Sequence, residues 1–174
     1  MLFLKVRYMS NYVERINFQT QFPSLENGVF IICLHVDKVP PHVGLMVDGR
    51  YFSLKVLTSD FDVMFSSVET VVLRKCIPTI IVEIQPSISL TQVKSVYDEY
   101  GTMILPNDSC MTPLLGMLRM PQTYLLDDVL TALEQSGQIK HVYGMFLPTT
   151  FDGIPGYTNE DVQNRINSLR NVNR

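Results

Sequence analysis

The sequence predicts an α+β fold, with a small mainly antiparallel sheet and flanking helices. Hydrophobic residues make up 46% of the 174 residues and charged residues 18%, a balance typical of a globular chain. The dipeptide Asp48-Gly49 joins two strand-like runs and predicts a hairpin. Helical and strand-like patterns alternate along the chain, and the hairpin favours an antiparallel or mixed sheet over a doubly wound parallel one. We expect a single domain over residues 1–174.

The hairpin is the clearest local pattern in the chain. Both central positions of a two-residue type I′ turn require positive φ, which Asp48 and Gly49 tolerate. The runs 42–47 and 50–56 then pair, so that Val47 faces Arg50. A continuous apolar run at 28–36 comes before the hairpin and predicts a strand buried on both faces.

Alternation along the hairpin separates its side chains into two faces. One face is apolar and forms part of the core: Val43, Leu45, Val47, Phe52, Leu54 and Val56. The other face is mixed and contains His42, Ser53 and Lys55. Gly44 lies on this second face, where its lack of a side chain leaves room for another backbone.

The other elements follow from periodicity, capping residues and turn residues. We predict a short helix at 10–17 capped by Ser10, a helix at 60–73, a strand at 77–84, a helix from Ser89 to Tyr100 ended by Gly101, a helix at 123–135, a strand at 138–147, a loop at 148–157 and a last helix from Thr158. Residues 1–9 are expected to form a flexible extension, and residues 148–174 a loop plus a C-terminal helix.

Composition argues against several classes of function. The net charge is −3 and no basic stripe is present, so we expect neither a nucleic-acid interface nor a polybasic membrane patch. The three cysteines have no CxxC spacing, which argues against a disulfide framework and a zinc site. No phosphate-binding glycine loop or dinucleotide fingerprint occurs, so no cofactor is expected. Without a signal peptide or membrane span in the sequence, we expect a cytoplasmic protein with reduced thiols.

Cys110 is the first residue that could take part in chemistry. It follows Asn107-Asp108-Ser109, which favour helix N-caps, and it precedes Pro113, which is tolerated in a first helical turn. A helix N-terminus there would lower the pKa of the Cys110 thiol and make it a nucleophile. The alternative is a thiol that only packs, as free cysteines often do. Cys33 and Cys76 are both predicted to lie in the core.

His42 is the second such residue, because a histidine at the start of a strand could act as general base to a thiol. The alternative is a surface histidine at a strand edge. His35 and His141 have no obvious partner and are predicted to be structural. Glu83 is a remote candidate for the group that orients the His42 imidazole, and an ordinary edge glutamate is the more common case.

The segments GVFIICLHVDKVPPHVGLMVDGRYFSLKV and NDSCMTPLLGMLRM resemble those of permuted papain-like cysteine hydrolases. This is the NlpC-type superfamily, in the branch related to lecithin:retinol acyltransferase. The resemblance covers residues 28–135. It implies Cys110 as nucleophile, His42 as base and a third polar position near Ser53. The family usually has a histidine, an asparagine or an acidic residue at that third position.

Two functions follow from these expectations. The first is a thiol hydrolase or acyltransferase, for example a cysteine peptidase or amidase, acting on an amide or ester bond of a peptide or acyl substrate. The second is a catalytically inactive papain-like module that binds a protein partner or packs into a larger assembly. The serine at position 53, the exposed-looking loop 148–157 and the polar tail 167–174 favour the second function.

Overall fold

Seven strands in the described part of the chain form one mixed sheet. The structure is a computed structural model, and it describes residues 11–85, 87–100 and 108–171. The strands are β1 (Ile16–Gln19), β2 (Val29–Leu34), β3 (His42–Val47), β4 (Arg50–Ser53), β5 (Asp60–Met64), β6 (Thr79–Ile84) and β7 (Ile139–Met145). Their order across the sheet is β1-β7-β6-β2-β3-β4-β5. Every neighbouring pair is antiparallel except β1 with β7. The predicted α+β class is confirmed.

Two of the described helices begin directly after the capping residues that the sequence indicated. The helices are α1 (Asn11–Glu14), α2 (Phe65–Lys75), α3 (Leu90–Tyr100), α4 (Thr112–Met117), α5 (Leu126–Gln135) and α6 (Asn159–Asn171). Ser89 Oγ accepts the Gln92 N–H at 3.2 Å, and Gln92 Oε1 accepts the Ser89 N–H at 2.9 Å. Thr158 and Asp161 form the same reciprocal cap for α6. Gly101, the predicted end of α3, lies outside the described residues.

The hairpin has the predicted register, with Val47 opposite Arg50 and positive φ at Asp48 and Gly49. Its predicted apolar face lies in the larger of two hydrophobic clusters. The second face is more buried than its mixed composition suggested, because Met46 and Tyr51 belong to the smaller cluster. The nearest atoms to the space beside Gly44 belong to a side chain, and not to another backbone as the sequence had suggested. An added Cβ there would lie 2.3 Å from the Tyr51 hydroxyl oxygen, so Gly44 makes room for a tyrosine ring.

The two clusters lie on the two faces of the sheet. The larger one includes buried side chains of α3, α4, α5 and α6, and the smaller one includes Phe65 of α2 and Leu25. The central strand β2 contributes alternate side chains to both clusters, as the apolar run 28–36 predicted. Residues 148–157 are not simply exposed, because Ile154 is buried in the larger cluster and the Tyr157 hydroxyl accepts the Leu126 N–H at 3.2 Å.

The prediction of a helix over 60–73 is wrong in its first turn. Asp60–Met64 is the edge strand β5, and the helix begins at Phe65. The Arg50 guanidinium holds this strand against β4, since its Nε donates to Asp62 Oδ1 at 2.6 Å and its terminal nitrogen bonds the Asp62 carbonyl. Long-range strand pairing therefore overrides the local helical spacing.

The prediction of a helix over 10–17 is also wrong in its second half. The helix α1 ends at Glu14, and Ile16–Gln19 joins the sheet as β1, parallel to β7. Arg15 forms the turn between them. Its guanidinium donates hydrogen bonds to the Glu134 carboxylate and to the carbonyls of Ile139 and Lys140. A four-residue strand carries too little alternation to be recognised in the sequence. Ser10 and residues 1–9 lie outside the described residues.

Gly44→Ala should lower the free energy of unfolding by about 1–3 kcal/mol, the usual cost of overpacking a tight core. The added methyl group would overlap the Tyr51 ring. Gly116→Ala in α4 is the matched control, because an added Cβ there meets nothing within 4 Å. This control should be neutral or stabilising by up to about 1 kcal/mol. Urea unfolding of both variants measures the difference, and equal effects would contradict the close packing of Tyr51 on Gly44.

Candidate functional site

A cleft of about 1120 Å³ opens at the end of the sheet where β2 ends and β3 begins. Both His42 and Cys110 line it. Its other walls come from the segment after β4, from residues 122–125 and from one side of α6. Many of the lining side chains are apolar, as is typical of small-molecule sites: Leu34, Val39, Leu54, Val56, Leu57, Val71, Ile77, Met111, Val162, Ile166 and Leu169.

His42 is the first of three polar side chains on adjacent strands that form a chain of hydrogen bonds. His42 begins β3, Ser53 ends β4 and Asp60 begins β5. His42 Nε2 lies 3.2 Å from Ser53 Oγ, and Ser53 Oγ donates to Asp60 Oδ2 at 3.2 Å. Ser53 is fully buried. Ser53 thus connects the His42 imidazole to the carboxylate of Asp60, which lies outside the hairpin.

The direction of these two hydrogen bonds determines which ring nitrogen of the neutral imidazole carries the proton. A carboxylate only accepts hydrogen bonds, so the single Ser53 proton points at Asp60. Ser53 Oγ must then accept from His42, which places the imidazole proton on Nε2. The other ring nitrogen, Nδ1, is left without a proton and can accept one.

The imidazole of His42 is neutral at neutral pH. Burial and then the positive charge of Lys55 lower the pKa of His42 to about 4, and the negative charge of Asp60 acts in the opposite direction. Lys55 Nζ lies 2.5 Å from Asp60 Oδ2 and so offsets much of that negative charge.

Cys110 lies in the turn directly before α4, where its capping neighbours were expected to put it. Ser109 Oγ accepts the Met111 N–H at 3.1 Å, and Thr112 Oγ1 accepts the Ser109 N–H at 2.8 Å. The expected lowering of the thiol pKa is wrong. Burial raises the pKa of the Cys110 thiol and outweighs the backbone N–H groups of Val43 and of Cys110 itself, which act in the opposite direction.

The structure brings Cys110 and His42 to one cleft without joining them. The thiol contacts the backbone N–H of Val43, the residue that follows His42. Among the described residues, no hydrogen bond links the Cys110 sulfur to the His42 imidazole. A neutral thiol and a neutral imidazole therefore line the same cleft in the resting structure, and neither is paired with the other.

The comparisons with known proteins add no relative. No protein-family model, curated protein or solved structure matches the chain. The papain-like resemblance accordingly stays a prediction based on the residues. Within the described residues there is also no group of three metal-ligating side chains, and no helix has the length and apolar content to cross a bilayer.

The remaining sequence candidates lie elsewhere or differ from expectation. Glu83 cannot orient His42, because its carboxylate bonds the exposed His141, with Nδ1 to Oε2 at 2.7 Å. His141 thus has a partner that the sequence did not indicate. Cys33 is buried as predicted. The prediction of a buried Cys76 is wrong, because this residue ends α2 in the left-handed conformation and is exposed.

Asp60 is the residue of this site that the sequence analysis missed. The alternation of Asp60, Phe61 and Asp62 just after the hairpin was a signal for a third strand. Assigning these residues to a helix concealed it. As a strand, the segment places the Asp60 carboxylate within reach of Ser53.

Two charge-removing variants should move the pKa of His42 in opposite directions. Lys55→Gln removes a cation and should raise this pKa from about 4 towards 6.5, while Asp60→Asn removes an anion and should lower it further. NMR titration of the imidazole protons measures both shifts, with the exposed His141 as internal control. Shifts of the same sign in both variants would contradict the described electrostatics.

Proposed function

We propose that this protein is a thiol hydrolase that cleaves an amide or ester bond, with Cys110 as nucleophile and His42 as base. One observation carries the proposal. A neutral imidazole, held through Nε2 by Ser53 and Asp60, belongs to a residue that lines the same cleft as Cys110, and its Nδ1 has no hydrogen-bond partner among the described residues. An oriented base beside a nucleophile is the arrangement that thiol and hydroxyl hydrolases use.

The proposed reaction starts from the uncharged pair. As the Cys110 sulfur attacks the substrate carbonyl carbon, His42 Nδ1 takes the thiol proton. The imidazolium then gives this proton to the leaving amine or alcohol, and the acyl group stays on sulfur as a thioester. Water, deprotonated by His42, hydrolyses the thioester and returns the thiol. The N–H groups of Val43 and Cys110, which face the sulfur, are our candidates for oxyanion donors.

Ser53 and Asp60 serve this reaction by position and charge. The Ser53 hydroxyl holds the imidazole in one orientation, and the Asp60 carboxylate stabilises the positive charge that His42 gains for a short time. No thiol–imidazole hydrogen bond is needed in the resting structure, because catalytic hydrogen bonds are often long before the substrate binds. The serine at the third position then acts as a bridge to an acidic group.

The permuted papain-like frame is part of this proposal. It is supported by a histidine that begins a strand of an antiparallel hairpin and by a cysteine in the turn before a helix, in that order along the chain. A thiol nucleophile works only when reduced, so we propose a reducing compartment such as the cytoplasm as the place of action. The three cysteines are unpaired in the structure, in keeping with this proposal.

The second candidate function is an inactive module that binds a partner. The raised pKa of the Cys110 thiol favours it, because a neutral buried thiol is by itself unreactive. The two functions differ in whether His42 can activate that thiol towards a carbonyl.

Acylation by 4-nitrophenyl acetate distinguishes them. The wild-type protein should release a burst of nitrophenol and carry one acetyl group on Cys110, located by peptide mass spectrometry. His42→Gln should acylate about 10²–10⁴ times more slowly, the usual contribution of a general base. Cys76→Ser and His141→Gln are the matched controls, since both residues are exposed and lie outside the cleft. Acetylation of Cys110 at the same rate without His42, or of Cys76 alone, would contradict the hydrolase and favour the binding module.

A further inference from the structure

Three cations from separate parts of the chain surround His35 in the lining of the cleft. Lys38 follows β2, Lys75 ends α2 and Arg165 lies in α6, and all three line the cleft with His35. Burial and then the charges of these three cations lower the pKa of His35, and the negative charge of Asp37 acts in the opposite direction. Each of the three cations therefore lies within electrostatic range of His35.

These cations have no acidic partners in the described part of the chain. None of Lys38, Lys75 and Arg165 takes part in an ion pair there, and Asp37 is the one described acidic residue that lines the cleft. The chain as a whole has a net charge of −3, so these cations form a positive region on a negatively charged protein. A cleft lined by one sign of charge focuses its field and attracts ions of the opposite sign.

Exposed apolar side chains line the same cleft. Val39, Leu57 and Val71 line the cleft and are 46%, 49% and 38% exposed. Large apolar side chains grouped at a cleft are a common sign of a ligand that covers them. The cleft lining thus combines unpaired cations with apolar side chains.

We infer that this cleft binds an amphiphilic anion, with the carboxylate or phosphate of the ligand held near His35 by Lys38, Lys75 and Arg165. Arginine and lysine are the usual partners of both anions. The aliphatic part of the ligand would lie along Val39, Leu57 and Val71. The inference rests on the proposed function in one respect, since it makes such an anion the substrate class of the Cys110 site.

Binding to Cys110→Ser tests the inference without any catalysis. The probes are octanoate, octyl phosphate and 1-octanol, each titrated calorimetrically below the concentration at which it forms micelles. At least one anion should bind ten or more times as tightly as octanol, and this advantage should shrink as salt is added. Whichever anion binds more tightly identifies carboxylate or phosphate as the preferred group.

Single substitutions then locate the site. Lys75→Gln and Arg165→Gln should each weaken anion binding several-fold and leave octanol binding unchanged. Arg74→Gln is the matched control, because Arg74 is an exposed neighbour of Lys75 that does not line the cleft. The inference is wrong if the three probes bind equally, if none binds, or if Arg74→Gln acts like Lys75→Gln.

The hydrolase and the anion site can each be contradicted without the other. Acylation of Cys110 together with charge-independent binding would leave the hydrolase intact and overturn the anion site. Anion-selective binding without any acylation of Cys110 would support the anion site and overturn the hydrolase.

Discussion

The buried hydroxyl of Ser53 is the constraint on which the rest of the site depends. A buried hydroxyl must be hydrogen-bonded, and Ser53 achieves this only if three strands keep their places. His42 must begin β3, and Asp60 must come opposite Ser53 on β5, where the register of the β4–β5 pair shifts. The tight hairpin, with Tyr51 packed on Gly44, holds the first of these strands in register. The orientation of the proposed base is therefore a consequence of sheet packing.

The electrostatics of the cleft divide its residues into two groups with different tasks. Around His42, Lys55 and Asp60 nearly balance each other, and burial then keeps the imidazole uncharged and able to accept a proton. Around His35, Asp37 is the one described acid in the lining against three cations, and none of the three forms an ion pair among the described residues, so they stay available to a ligand. A neutral reaction centre beside a charged binding end allows the substrate to be held by charge without protonating the base.

The features that local chemistry dictates could be predicted from the sequence. The turn at Asp48-Gly49, the caps of α3 and α6 and the burial of β2 depend on residues a few positions apart. The strands β1 and β5 depend on distant partners and could not be recognised in the same way. The same limit applies to the site. His42 and Cys110 stood out locally, and the position of Ser53 came from the family resemblance. Asp60, the cations around His35 and the burial that raises the Cys110 pKa depend on tertiary packing.

The tautomer of His42 at neutral pH is the most direct test of this account. Two-dimensional ¹⁵N–¹H NMR of a histidine-labelled sample separates a protonated ring nitrogen from a bare one, and comparison with His42→Gln assigns the signals. The hydrogen bond to Ser53 predicts a neutral ring with its proton on Nε2 and a bare Nδ1. A proton on Nδ1, or on both nitrogens, would contradict the account, because Nδ1 would then already hold a proton and could not take the thiol proton from Cys110.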